Sequence, residues 1–158
     1  MAEENGNSGA PEQPVFRMQK MYIKDLSFEN PNAPDVFLQQ GTSPKVDVNL
    51  KLNNRKMDDD HWEVALEITA KIVDQANNDR TMFVMEIEHA GVYLLKNIPA
   101  EHLDMVLGVD CPTLLFPFTR QIISQLSVDG GFVPFQMDPI NFMALFQEAK
   151  KKKGAQEN

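Results

Sequence analysis

The chain has 158 residues, 42% of them hydrophobic, which is typical of one globular domain. Its 23 acidic and 15 basic side chains leave a formal net charge of −8, which argues against nucleic acid or an anionic membrane as the main partner. A single cysteine excludes an internal disulfide and a multi-cysteine zinc site. The sequence contains neither a bilayer-spanning apolar run nor a secretory signal, so we expect a soluble, cytoplasmic protein without membrane insertion.

Three segments differ in composition. Residues 1–14 contain almost no apolar side chains, and we predict a disordered N-terminal tail. Apolar residues recur throughout residues 15–149, which we predict to form a single domain. Residues 150–158 begin with four lysines, whose charges suit the end of a helix, and we predict a flexible Lys-rich C-terminal tail.

Four segments show the alternation of apolar and polar side chains that is typical of β-strands. The second segment is the most regular, with an apolar residue at every other position from Val46 to Leu52. In the first segment, one face is predicted to carry Phe16, Met18, Tyr22, Leu26 and Phe28. Met21 and Ile23 interrupt that alternation. Short connections without helices predict an antiparallel sheet with one apolar face and one exposed, acidic face.

Acidic residues dominate the predicted polar face of this sheet. By alternation, that face carries Asp25, Glu29, Asp47, Glu63, Glu67, Glu86 and Glu88. Only Lys51 and Lys71 clearly oppose them. Such a face is either simply solvated or a docking surface for a basic partner, and the pattern leaves both readings open.

Helical spacing replaces the alternation after the strands. We predict a short helix with Asn97 as its N-cap and Gly108 as its end. A longer helix is predicted from Pro112, with an apolar stripe formed by Leu115, Phe118, Ile122 and Leu126. After Gly130, Asp138 is predicted to cap a last helix. Strands followed by helices predict an α+β fold, in which the helices pack on one face of a four-stranded antiparallel sheet.

The connection between the last two helices is unusually apolar for a loop, since it contains Phe132, Val133, Phe135 and Met137. Such a loop is buried, contacts another subunit or binds a ligand. The long helix also has more apolar surface than one sheet face requires, which favours oligomerisation.

Catalytic and metal-binding patterns are not evident. His61, His89 and His102 match no metal-ligand spacing, and we interpret them as surface or interface histidines. Cys111 has no evident partner base, which favours a small buried residue. We therefore expect no enzyme activity, no metal and no cofactor.

Four segments together resemble the SecB protein-export chaperones: residues 22–34 (YIKDLSFENPNAP), 111–118 (CPTLLFPF), 130–135 (GGFVPF) and 139–142 (PINF). Their order and spacing match over residues 15–146. The resemblance implies a SecB-like homotetramer, a dimer of dimers, that binds unfolded preproteins in the cytoplasm without ATP. Such a chaperone keeps its clients translocation-competent and delivers them to the SecA motor. The alternative is an acidic scaffold module that binds a folded basic partner.

The resemblance also implies two sites. In the family, acidic residues on the exposed sheet dock the zinc-binding C-terminal tail of SecA, and the matching positions here are Asp25, Glu29 and Glu86, with Val84 as an apolar neighbour. The zinc belongs to that partner. The family's client groove is lined by aromatic and aliphatic residues, which by position correspond to Phe28, Phe37, Phe132, Phe135 and Met137.

Overall fold

The structure, a computed structural model, describes residues 12–156, so residues 1–11 of the predicted tail lie outside the described residues. Four strands form one antiparallel sheet in the order β1-β4-β3-β2. Their bounds are β1 Val15–Glu29, β2 Pro44–Lys56, β3 His61–Asp74 and β4 Arg80–Lys96. The helices follow the strands, which confirms the predicted α+β class.

The strand register places the apolar side chains of β2, β3 and β4 on one face. Val46 lies opposite Ile72 and Leu50 opposite Ile68, as the strict alternation of β2 predicts. On β3 this face is closed to solvent, because Leu66 and Ile68 are at most 1% exposed. A one-residue slip of β3 would expose these buried side chains to water, so its register is strongly specified.

The first strand departs from the predicted alternation at two β-bulges, between Met18 and Lys20 and between Ile23 and Asp25. A bulge adds one residue to a strand and so exchanges the two faces beyond it. Ile23 therefore lies on the apolar side, opposite His89. Tyr22 lies on the acidic side, where its hydroxyl donates a hydrogen bond to Glu63. The predicted grouping of Tyr22 with the apolar face is wrong for this reason.

Three α-helices follow the sheet: α1 Ala100–Met105, α2 Cys111–Asp129 and α3 Phe142–Gln156. Gly108 does not end α1, because a π-helical turn, Val106–Asp110, joins α1 to α2. The glycine serves packing instead, since a Cβ atom at this position would lie 2.9 Å from the Phe146 ring of α3. Within residues 12–156, no helix is long and apolar enough to cross a membrane.

The last helix begins later and ends later than predicted. Its cap is Asn141 rather than Asp138, because the Asn141 side-chain oxygen accepts the Ala144 N–H at 3.0 Å. Pro139 and the residues around it are not helical. The helix then continues through the Lys-rich segment to Gln156, where the sequence predicts a flexible tail.

The buried stripe of α2 differs from the predicted one. Fully buried side chains recur every four residues at Leu115, Thr119, Ile123 and Ser127. Both polar members are satisfied, since Thr119 Oγ1 lies 2.7 Å from His89 Nδ1 and Ser127 Oγ donates to the Ser124 carbonyl at 2.7 Å. Phe118, which the sequence places in the stripe, is 41% exposed.

Two residues that the sequence analysis considered for metal binding or catalysis, His89 and Cys111, are buried in the core. His89 is not a surface residue, since it is buried between β4 and α2, and this burial lowers its pKa and favours the neutral imidazole. Cys111 is fully buried, as expected for a small core residue, and burial raises the pKa of its thiol.

Candidate functional site

Four aromatic side chains meet at the end of the sheet where β1 finishes and β4 begins. The ring centroids of Phe28 and Phe83 are 5.5 Å apart, those of Phe83 and Phe132 are 4.6 Å apart, and those of Phe132 and Phe37 are 5.3 Å apart. We call these four residues the aromatic cluster. It connects β1, β4, the loop after α2 and a short 3-10 helix, Asp35–Leu38.

Two glycines after α2 allow these rings to come so close to the backbone. A Cβ atom at Gly130 would overlap the ring of Phe28, and one at Gly131 would lie 2.8 Å from the ring of Phe37. Gly131 also has a φ of +93°, a conformation that residues with a side chain rarely adopt. The Gly-Gly break therefore shapes the cluster as well as ending the helix.

Hydrogen bonds to α2 fix the path of the loop that carries Phe132. The Phe132 N–H donates to the Ser127 carbonyl at 3.0 Å, and the Phe135 N–H donates to Ser127 Oγ at 2.8 Å. The loop after β1 is anchored likewise, because the Asn30 amide donates to the Gly130 carbonyl at 3.1 Å. The backbone is thus held by polar contacts, which leaves the aromatic rings free to form an apolar surface.

An apolar cavity of about 140 Å³ opens beside the cluster. Its lining consists of Phe83, Phe132, Phe135 and their neighbours Pro44, Val46, Ile72, Met82, Val133, Pro134 and Gln136. This volume is close to that of apolar cavities that accept a benzene ring. Its rim includes Val133, which is 82% exposed, and Leu38, next to Phe37 of the aromatic cluster in the chain, is 80% exposed. The site therefore suits apolar side chains of a bound chain.

The structure brings together most, but not all, of the residues predicted for this groove. Phe28, Phe37 and Phe132 belong to the aromatic cluster, and Phe135 lines the adjoining cavity. Met137 is only 8% exposed, packs in the core and is not among them. Sequence reasoning missed Phe83 in this role, because its alternation identified it only as a core residue.

The opposite face of the sheet carries the acidic residues. Asp25 lies opposite Glu88, and Glu88 lies opposite Glu67. In the next positions along β1 and β4, Ser27 faces Glu86 and Glu29 faces Val84. The four residues predicted for docking, Asp25, Glu29, Val84 and Glu86, therefore occupy neighbouring positions on two adjacent strands.

Glu63 limits this acidic surface, because its charge is compensated. It accepts hydrogen bonds from Tyr22 and from Lys24, whose ammonium lies 3.0 Å away, and Arg55 lies within 3.9 Å. The Tyr22 hydrogen bond, followed by the contacts with Lys24, lowers the pKa of Glu63. Burial raises the pKa of Tyr22 to about 12. Among the described residues, no group of histidine, cysteine or acidic side chains is arranged to hold a metal ion.

Four other acidic residues of this face lie close together, and within the described part of the chain only one of them, Glu88, has a basic side chain within ion-pair distance. Asp25, Glu67, Glu86 and Glu88 line one shallow depression on this face. The nearest ammonium group is that of Lys24, 3.8 Å from Glu88. This part of the sheet therefore carries concentrated negative charge, which is the electrostatic complement of a basic surface.

A third surface is apolar and uncovered. Phe16 and Leu114 line one depression between β1 and α2, and Leu26 lines another with Ile122 and Leu126. The large side chains that remain exposed along it are Phe16, Met21, Ile23, Leu26, Leu114 and Phe118, each between 37% and 46% exposed. We call these six residues the β1–α2 apolar surface.

Comparison with known proteins gives one consistent family. The family model described as preprotein translocase subunit SecB matches residues 9–153. A protein-export protein SecB from Desulfotalea psychrophila is 64% identical, with 99% of this chain and 98% of that protein aligned. The protein-export protein SecB from Magnetococcus marinus is 44% identical, with 98% and 96% aligned.

A solved structure supports the fold independently. A SecB-like chaperone from Mycobacterium tuberculosis, in complex with an antitoxin peptide, superposes with a TM-score of 0.66. The match covers 79% of this chain and 90% of that one at 13% identity, so it bears on the fold alone. Together, the family model, the full-length relatives and the shared fold establish that this chain belongs to the SecB family of protein-export proteins.

Proposed function

We propose that this protein is an ATP-independent chaperone that binds unfolded preproteins in the cytoplasm, keeps them translocation-competent and delivers them to the SecA motor. The observation that carries the proposal is the aromatic cluster with its apolar cavity and exposed rim. An acidic scaffold that binds only a folded partner would not need such a surface. The relatives, which are named as export proteins, also do not favour the scaffold.

Binding in this groove needs no chemical step. Covering apolar area stabilises a complex by roughly 25 cal/mol per Å², whichever apolar residue supplies the area. Aromatic walls therefore accept many sequences, which suits a chaperone that must hold different unfolded chains. We accordingly assign the protein no enzymatic activity.

Docking to SecA is proposed on the acidic face, through Asp25, Glu29 and Glu86 with Val84 as an apolar contact. Their adjacency on β1 and β4 supports this assignment, because one partner segment can reach all four. The acidic depression beside them would attract a basic tail and raise its association rate at low salt. Any zinc in this contact would be held by the partner.

Assembly as a homotetramer is proposed through the β1–α2 apolar surface. Six large apolar side chains, each more than a third exposed, form an unusually apolar surface for an isolated subunit. A dimer of dimers would cover this surface and would place several client grooves in one particle. Several weak contacts along one client chain then reinforce each other through effective concentration.

Suppression of aggregation without ATP tests the proposed function. The purified protein should keep a chemically unfolded preprotein from aggregating after dilution, as followed by light scattering, with no nucleotide present. The acidic scaffold predicts no suppression, together with specific binding to one folded basic protein. The absence of suppression, together with binding to one folded basic protein, would contradict the chaperone assignment.

Charge reversal at Asp25 and Glu86 should separate docking from client binding. The D25K/E86K variant is expected to lose SecA binding by calorimetry, because like charges would face the basic tail, and to suppress aggregation as the parent protein does. The matched control is E101K/D104K, which changes the net charge equally on exposed positions of α1. Normal SecA binding by D25K/E86K would show that the docking site is elsewhere.

A further inference from the structure

The second half of α3 extends away from the rest of the protein. Phe142 is buried, and Phe146 still packs against Gly108. From residue 147 to residue 156, every described side chain is exposed. With a rise of 1.5 Å per residue, the helix reaches about 15 Å beyond Phe146. We call residues 147–156 the α3 arm.

The α3 arm carries concentrated positive charge. Lys150, Lys151, Lys152 and Lys153 are consecutive, and successive helical residues are about 100° apart, so the four side chains are distributed around the helix. The Lys150 ammonium turns back over the Phe146 ring, 4.7 Å from its centroid. Within residues 12–156, no carboxylate lies within ion-pair distance of these four lysines. The strands also carry basic residues without an ion pair, such as Lys45 and Lys56, but these are dispersed along the chain rather than consecutive.

We propose that the α3 arm binds anionic lipid headgroups at a membrane surface. Lysines arranged all around a helix present no single recognition face, and an ammonium is a point charge without the fork that Arg offers a specific phosphate. This arrangement suits the diffuse negative potential of a bilayer, where a cluster of four or more basic residues is effective.

The net charge of −8 only partly opposes this contact at physiological ionic strength. The four lysines lie about 6–10 Å beyond Phe146 along the helix, and electrostatic interactions in 0.15 M salt decay over about 8 Å. Repulsion from the acidic body is therefore partly screened where the lysines touch the bilayer. The contact is peripheral and independent of the groove and of the acidic face. It would hold an export chaperone close to the membrane that its clients must cross.

Vesicle co-sedimentation of the full chain tests the proposal. The parent protein should sediment with vesicles of one-third phosphatidylglycerol and two-thirds phosphatidylcholine, but not with pure phosphatidylcholine. Replacing the four lysines by glutamine (K150Q/K151Q/K152Q/K153Q) should weaken the binding more than tenfold, since each lysine contributes a several-fold factor. The matched control R17Q/K20Q/K45Q/K56Q removes four exposed charges elsewhere and should bind as the parent does.

Competitors then identify the ligand. Millimolar inorganic phosphate should displace little protein, whereas 0.5 M sodium chloride should release most of it. Full displacement by phosphate would make the arm a site for free phosphate and overturn the proposal. Three other results would also overturn the proposal. The two variants could lose vesicle binding equally, or the parent protein could fail to sediment with vesicles. The third result is binding of the parent protein to polyglutamate but not to vesicles. Circular dichroism and aggregation suppression should be unchanged in both variants, so a loss of binding is separable from a loss of fold or of chaperone activity.

Discussion

Replacing Phe132 and Phe135 with alanine should weaken the binding of an unfolded client by at least tenfold. Both rings line the cavity, and Phe132 also joins Phe83 to Phe37 across the groove. Covering one phenylalanine ring contributes about 2 kcal/mol, so the loss of two rings removes most of the affinity of one groove. Calorimetry with a permanently unfolded preprotein measures the effect directly.

The loop itself should keep its path in the F132A/F135A variant. The backbone N–H groups of residues 132 and 135 are held by Ser127, and neither hydrogen bond needs the rings. F146A is the matched control for stability, because Phe146 is also half-buried but packs against Gly108, away from the groove. We expect F146A to melt at a lower temperature and to bind clients normally. Unchanged client affinity in F132A/F135A would exclude this loop from the groove.

The sheet was largely predictable because its pattern is local. Strict alternation from Val46 to Leu52 gives the correct face for each residue of β2, and the register confirms it. The same reasoning fails on β1, because two bulges exchange the faces without a glycine or proline to mark them. In the sequence, these bulges are indicated by Met21 and Ile23, which interrupt the alternation of apolar and polar residues. A prediction that assumes a strict period of two assigns residues to the wrong face of the sheet beyond a bulge that it does not include.

The helices were harder to predict because tertiary contacts decide which face is buried. Thr119 and Ser127 are completely buried, since His89 and the loop after α2 satisfy their hydroxyls. A hydrophobicity pattern cannot anticipate such partners, so it selected Phe118 instead. Gly108 was interpreted as a helix end for a similar reason. The ring that requires a glycine there belongs to Phe146, 38 residues further along the chain.

The candidate groove was predictable only in part. The apolar loop and the Gly-Gly break identify Phe132 and Phe135 as unusual, because surface loops rarely carry such residues. Phe83 gave no comparable signal, since its place in a strand explains its apolar side chain. Its contact with Phe132 depends on how the loop returns to the sheet, which alternation does not encode.

A charge placed on the β1–α2 apolar surface should dissociate the proposed tetramer. Phe118 lies on α2 and Ile23 on β1, and they are 41% and 46% exposed in the isolated chain. In a two-fold interface each substitution occurs twice, so F118E/I23E introduces four carboxylates into the contact. Each buried, unpaired carboxylate costs several kcal/mol, which exceeds what the remaining apolar contacts supply. We expect the molar mass in solution to fall from four chains to two or one.

Light scattering after size exclusion, at several protein concentrations, measures this change. L38E is the matched control, since Leu38 lies in the 3-10 helix Asp35–Leu38, is 80% exposed and is outside the β1–α2 surface, so this variant should remain tetrameric. A tetrameric F118E/I23E protein would place the interface elsewhere, and a monomeric parent protein would refute the assembly itself. Because each chain retains its own aromatic cluster, dissociated F118E/I23E should still bind short unfolded peptides. It should hold long preproteins much less tightly, because they no longer span several grooves.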